Sequence, residues 1–402
     1  MKKLLLGAVS AAAMLTAGAA FAAGNDATID QIGNVGSATV DQTQSSGDAV
    51  ATITQGTGTG ANDFYNTASV TQGGSANQAT ITQSQGDFGV VTNPSNTSIS
   101  DQEGASGVII VTQVGNSASS IQQTSTASNE HAFVGQLGSG DASGIIQSGA
   151  SELAVVNQEP GGPGQVGTGT GNTAAIVQSG TGDGVFSSVQ FDAVNFNPNP
   201  ALFWYENVPG DSLLPGTSAG NTQWGPVGAI VDQLGQNNIG AINQAGYENF
   251  ADVSQENDFS GNVGNTDGIT QGIGNFYSDA VTYQYGQGNT IFLTQEGSGS
   301  AYSVAFQQGN NNQAYVAQTG SETSTVGQGM TVDITNPTSP DAFDANAVNN
   351  DYANVTQSSG GDTSTVFQSG DSNQAWVSQT VQANATSTIN QSGGSNAAVV
   401  KQ

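Results

Sequence analysis

The sequence predicts an all-β fold, a two-sheet β-solenoid of stacked coils of about 22 residues, each built from two 11-residue strand–turn units. Three observations predict it. Glutamine recurs at a fixed interval, with Gln233, Gln244 and Gln255 each 11 residues apart. Between them the chain follows Q-x-G-x-x-N-x-A-x-[IV]-x-Q, with Gly235 and Gly246 two residues after a glutamine, Asn238 and Asn249 five after, and a small residue, Gly240 or Ala251, at the alanine place. The composition is that of strands and turns, since the 402 residues include 56 glycines, no cysteine and only 8 % charged residues, where ordinary domains carry about 25 %.

The strand comes first in each unit. In Ala251-Asp252-Val253-Ser254-Gln255 the side chains alternate, so Ala251, Val253 and Gln255 share the inner face and Asp252 and Ser254 the outer one. The turn follows, with Gly246 and Asn249 placed where the chain reverses, both residue types that tolerate positive φ. Two units face each other across an interior about 10 Å thick, and coils stack at about 4.8 Å.

An inward glutamine is costly unless its amide is bonded, at about 1–3 kcal/mol for an orphaned group. A ladder answers this, each amide donating to the carbonyl of the glutamine one coil away, with asparagine doing the same at the turns. The full unit is present in Gln72–Gln83, Gln244–Gln255, Gln307–Gln318, Gln368–Gln379 and Gln391–Gln402. The expected ladder residues are therefore Gln72, Gln83, Gln233, Gln244, Gln255, Gln307, Gln318, Gln368, Gln379 and Gln391. With them go Asn77, Asn238, Asn249, Asn312, Asn373 and Asn396.

Taken in order, residues 1–22 read as a secretory signal peptide. Lys2 and Lys3 precede an apolar run and Ala20-Phe21-Ala22 is an A-x-A cleavage site. No membrane span is expected in the remainder, which forms one solenoid over 23–402 with loop insertions at 191–228 and 329–352. All ten prolines fall in long intervals between strand-ending glutamines, as expected of residues that cannot donate to a ladder. Phe191–Gly228 holds Phe203-Trp204-Tyr205 and Trp224 among five prolines. It reads either as a sticky aromatic loop for carbohydrate or a partner, or as a segment stapled to the solenoid flank. Gln190 reads as one more strand end. Counting strands, the long intervals after Gln55, Gln83, Gln158 and Gln190 leave from one edge. Those after Gln255 and Gln328 join them if a further strand, best placed at Ala201–Tyr205, lies within the aromatic insertion.

Charge and chemistry exclude much. Past residue 22 the 31 acidic groups face Lys401 alone, which argues against nucleic acid and anionic membranes as partners. Asp87, Asp141, Asp183 and Asp371 beside turn glycines read as gatekeepers against premature stacking. With no cysteine and one histidine, His131, placed as an exposed turn residue, no nucleophile–base pair is available, so no enzyme is expected. Nor is a cofactor or a resident metal: the G-G-x-G-x-D calcium repeat is absent, and the outward Thr52, Thr54, Thr80 and Thr82 do not extend into a continuous threonine face.

The repeat, following a Sec-type signal, resembles the curlin repeat of curli subunits over nearly all of residues 27–402 outside the long loops. That resemblance implies a secreted, self-assembling amyloid fibre subunit of a Gram-negative-type bacterium, serving cell adhesion and biofilm. It also implies a nucleator subunit and an outer-membrane secretion pore as partners. The alternative is a monomeric β-solenoid surface protein binding ice, carbohydrate or calcium. For a homopolymer, head-to-tail stacking sets the lone Lys401 against Asp41, if the strand count is even, or Asp30 if it is odd.

Overall fold

The structure is a computed structural model. It describes residues 25–31, 36–56, 66–84, 95–124, 127–159, 171–179, 228–234, 237–247, 249–256, 264–276, 278–297, 301–328, 348–358, 360–381 and 383–402. These form strands and turns with no helix. The first strands are β1 (Asp26–Gln31), β2 (Gly36–Gly47), β3 (Val50–Gln55), β4 (Asn66–Ser75), β5 (Gln78–Ser84), β6 (Thr97–Gln102), β7 (Val108–Gln123), β8 (His131–Gln147) and β9 (Leu153–Glu159). There follow β10 (Thr173–Gln178), β11 (Gly228–Leu234), β12 (Ile239–Tyr247), β13 (Phe250–Glu256), β14 (Thr266–Phe276), β15 (Asp279–Gln287), β16 (Thr290–Glu296) and β17 (Tyr302–Asn310). The last are β18 (Gln313–Thr319), β19 (Thr323–Gln328), β20 (Val348–Asn349), β21 (Tyr352–Gln357), β22 (Thr363–Ser369), β23 (Gln374–Gln379), β24 (Thr386–Ser392) and β25 (Ala397–Lys401).

All pairings are parallel, and the strands stack in a nearly closed, solenoid-like sheet of 25 strands. Parallel neighbours need a crossover, and here the crossover is itself a strand of the sheet. One row of pairing runs β1–β3–β5–β7–β8–β9–β11–β13–β15–β17–β19–β22–β24. The other runs β2–β4–β6–β7–β8–β10–β12–β14–β16–β18–β21–β23–β25. The long strands β7 and β8 continue through the turn and belong to both rows, which is why hydrogen bonding makes one sheet.

Register is set by the inward residues. Ile53 pairs with Ile29 and Ile81, and Val316 with Leu293 and Val355. The inward alanines and β-branched residues of both rows form a single buried cluster, and each fully buried Val or Ile contributes about 1.5–3 kcal/mol. A Cβ on Gly240 would lie 2.9 Å from Val231 Cγ1 and 3.3 Å from Val253 Cγ1, so backbone of the second row and side chains of the first share one interior.

Several sequence expectations need correction. Gln190 and Ala201–Tyr205 lie outside the described residues. β9 pairs directly with β11, and β10 with β12. The insertion bounds shrink, because Gly228 opens β11, Val348–Asn349 form β20 and Tyr352 opens β21. Ser254 and Asp252 do alternate outward but are buried, at 7 % and 1 % exposure. Their partners in β15 are Tyr283 and Val281, whose side chains lie on the same outward face of the next coil. The turn asparagines do not carry the positive φ. The residue before them does, as in Asn311 (φ 56°) and Ser372 (φ 61°). At several turns the glycine two residues after the glutamine is needed for close stacking: a Cβ on Gly74, Gly286 or Gly370 would run into a carbonyl oxygen of the next coil.

Candidate functional site

The molecule carries two unbroken files of glutamine. In the first row the side-chain amide donates in turn from Gln31 to Gln55, Gln83, Gln113, Gln136, Gln158, Gln233, Gln255, Gln284, Gln307, Gln328, Gln368 and Gln391. In the second it runs from Gln42 to Gln72, Gln102, Gln123, Gln147, Gln178, Gln244, Gln271, Gln295, Gln318, Gln357, Gln379 and Gln402. The Nε2···Oε1 distances span 2.6–3.1 Å, and every bond points the same way along the stack. The second amide proton is also used. It goes to the carbonyl of a residue at the start of a strand in the opposite row, as in Gln113 to Thr97, Gln368 to Tyr352 and Gln379 to Thr363. Both donors of a buried amide are thereby satisfied. Each expected ladder glutamine is in one of these files.

The asparagines behave differently from the expectation. In the second row Asn238, Asn312, Asn373 and Asn396 lie in one corner file with Asn172, Asn265 and Asn289. There the Oδ1 of Asn172, Asn238, Asn265, Asn289, Asn312 and Asn373 accepts the backbone N–H of the next corner residue. Their Nδ2 groups turn to backbone carbonyls, as in Asn373 to Ser369 and Gly393. Asn396 also donates its side chain to another asparagine, Asn373. Asn77 and Asn249 occupy the other corner and accept from Gly107 and Ser278. The short asparagine side chain reaches the backbone of the adjacent coil more readily than its counterpart's amide.

Six acidic residues take the same corner place: Glu130, Glu152, Glu322 and Asp362 in one corner, Asp141 and Asp351 in the other. The backbone rung is preserved at Glu130, Glu152, Glu322, Asp351 and Asp362, for example from Val108 N to Glu130 O and from Gln313 N to Asp351 O. Asp141 is thus a buried rung that accepts from Asn172, not a surface gatekeeper; Asp87 and Asp183 lie outside the described residues. The repeat consensus overlooks these acids. The looser pattern [NDE]-x-[AS]-x-[IV]-x-Q would have found all six. Burial first, and the neighbouring Glu152 second, push Glu130 up to about 9, partly opposed by the Gly149 amide. Burial raises Asp351 to about 6, against hydrogen bonds from Asn373 and with help from Asp371. One core carboxyl, Asp267, stands where other strands have alanine and is held well above its ordinary range by burial.

Outside the stack, Phe292, Tyr315, Tyr352 and Trp376 form an aromatic file with ring centroids 5.7–5.9 Å apart. The outward threonines make two short files, Thr28–Thr52–Thr80 and Thr54–Thr82–Thr112, that end at Ile110 and Gly135. His131 opens β8 half-buried and stacked on Phe133 at 6.3 Å, and burial lowers its pKa. Among the described residues no group of three His, Cys, Asp or Glu side chains could hold a metal ion.

The remaining feature is the two ends. Among the described residues β1 and β2 pair on one side only, with β3 and β4, and β24 and β25 likewise only with β22 and β23. Asp30 is in the first row, and Asp41 and Lys401 are both in the second. The chain matches no protein-family model and no curated protein, so its likeness to the curlin repeat rests on the residues of the repeat themselves.

Proposed function

We propose that this chain is a secreted structural subunit that assembles with copies of itself into curli-like amyloid fibres for cell adhesion and biofilm matrix. The observation that carries this reading is the pair of glutamine files, uniform in direction along the described residues. Gln31 and Gln42 head the files as donors and Gln391 and Gln402 end them as acceptors. A second copy stacked in the same sense would bring its Gln31 and Gln42 carbonyl oxygens to the Gln391 and Gln402 amides, which would donate to them and continue both files.

The finer architecture belongs to the same reading. The two rows are the two faces of a flattened coil of two strand–turn units. Supporting it, the second amide proton of each glutamine crosses to the opposite row, and Gly240 packs against Val231 and Val253. By the resemblance, residues 1–22 direct export, and a nucleator and an outer-membrane pore serve assembly at the cell surface. The test is seeded growth of the exported, purified chain, followed by dye fluorescence, electron microscopy and fibre diffraction. Fibres with an axial repeat of about 4.8 Å are expected. A chain that stays monomeric at high concentration with and without seeds refutes the proposal.

A second reading, a monomeric surface-binding protein, draws on the Phe292–Tyr315–Tyr352–Trp376 file, a row of rings on which sugars could stack. Glycan-array binding by a persistently monomeric chain would favour it over the fibre.

A further inference from the structure

The structure assigns the junction between copies, an inference that rests on the fibre reading. We propose that the β24/β25 end of one copy docks on the β1/β2 end of the next with each row continuing into itself, so that Lys401 stands against Asp41 of the following copy.

The strand rows fix the choice. Each row holds one strand segment per coil, and the last described strands are β24 in the first row and then β25 in the second. The next free place is in the first row, and β1 is a first-row strand. A copy turned by half a coil would put β1 on β25 and leave the place above β24 empty, with a full strand edge of N–H and C=O groups unpaired. Row-on-row docking leaves no such gap.

Register then follows from the rungs within the chain. Lys401 pairs with Ser378, one residue before Gln379. Asp41 pairs with Thr71, one residue before Gln72, in the same row. With Gln402 donating to Gln42, Val400 meets Val40, Ala398 meets Ala38 and Lys401 meets Asp41. In the first row Gln391 donates to Gln31, Ile389 meets Ile29, and the neutral Asn390, rather than a second charge, meets Asp30. Ile29, Val40, Ala398 and Val400, half-buried in the single copy, pack against the core cluster and would be covered at the junction. Lys401 is the one Lys or Arg past residue 22, and both it and Asp41 are exposed. An out-of-register or half-turned contact loses this match.

The experiment is self-seeded elongation of the exported chain at low salt, with circular dichroism confirming that each variant folds. Lys401→Glu should slow elongation about two- to fivefold, the range an exposed ion pair allows. Adding Asp41→Lys to it should restore the rate, and adding Asp30→Lys should not. Rescue by Asp30→Lys instead overturns row-on-row docking. Wild-type elongation that neither Lys401→Glu nor the double variant alters overturns the junction alone and leaves the fibre reading standing. A wild-type chain that fails to elongate overturns both.

Discussion

Asp351 accepts where an asparagine would both accept and donate. Its Oδ1 takes the Asn373 N–H at 2.7 Å, while Oδ2 is buried without a hydrogen-bond partner. The carbonyls that Asn373 serves in the next coil, from Ser369 and Gly393, show what the missing amide would do. Asp351→Asn should therefore raise stability near neutral pH by about 1–3 kcal/mol, read as an upward shift of the thermal midpoint. An unchanged or lower midpoint would mean that the carboxyl is already served. The pH dependence has a definite sign. A carboxyl that keeps its proton in the fold to about 6, but releases it near 3.8 when unfolded, destabilises the fold progressively as pH rises through that window, and the penalty is complete above it. For Glu130 the window runs from 4.5 to about 9, widened by Glu152; His131 beside it is shifted down by burial. The monomer should thus melt at higher temperature at mildly acidic pH than at alkaline pH, opposite to ordinary acid denaturation. Glu130→Gln should flatten that slope, and a slope that Glu130→Gln leaves intact would remove Glu130 as its source.

At the scale of strands and ladders, each inner glutamine is worth more than an outer neighbour. Gln368→Ala takes the acceptor from Gln328, the donor from Gln391 and a bond from the Tyr352 carbonyl. It should cost about 1–3 kcal/mol per orphaned group and slow assembly. Thr388→Ala, at an exposed outward place on the adjacent β24, should stay within about 0.5 kcal/mol. Equal losses in denaturation midpoint at the two sites would remove the inside–outside assignment. The strands and the glutamine files were legible in the sequence because a ladder demands the same residue at each coil, and that repetition survives in a single chain. Gln190 shows the limit. It ends a strand-like segment, Ser187-Ser188-Val189-Gln190, yet the rungs pass from Gln158 to Gln233 and from Gln178 to Gln244 without it. Membership of a ladder is a property of neighbouring coils, which local pattern does not contain. The acid rungs escaped for the converse reason: Asp and Asn fill the same corner with the same backbone bond, so the fold tolerates a change that the consensus does not.

Over the whole molecule, the long insertions follow from the rows. The chain segments after Gln55, Gln83, Gln158, Gln255 and Gln328 each leave a first-row strand and return to a second-row one. The segment after Gln178 alone leaves the second row and returns to the first at Gly228. Both rows keep every rung across these insertions, so the fold can lengthen its connections without breaking a file.

The charge of the whole chain and its buried carboxyls give two separable responses. The formal net charge is −28, so copies approaching each other end to end repel, and that repulsion acts through solvent. Salt shortens its range to about 10 Å at 0.1 M and should speed fibre elongation. The corner acids Glu130, Glu322 and Asp351 lie inside the fold, at no more than 1 % exposure, where added ions screen little. Salt should therefore raise the elongation rate several-fold while leaving the pH dependence of the monomer's thermal midpoint nearly unchanged. Lowering the pH should act on both, neutralising the surface and protonating the corners. Elongation kinetics and melting measured over the same grid of salt and pH would separate the two. If salt shifts both in parallel, the buried corners are not the origin of the acid stabilisation, and surface repulsion alone accounts for it.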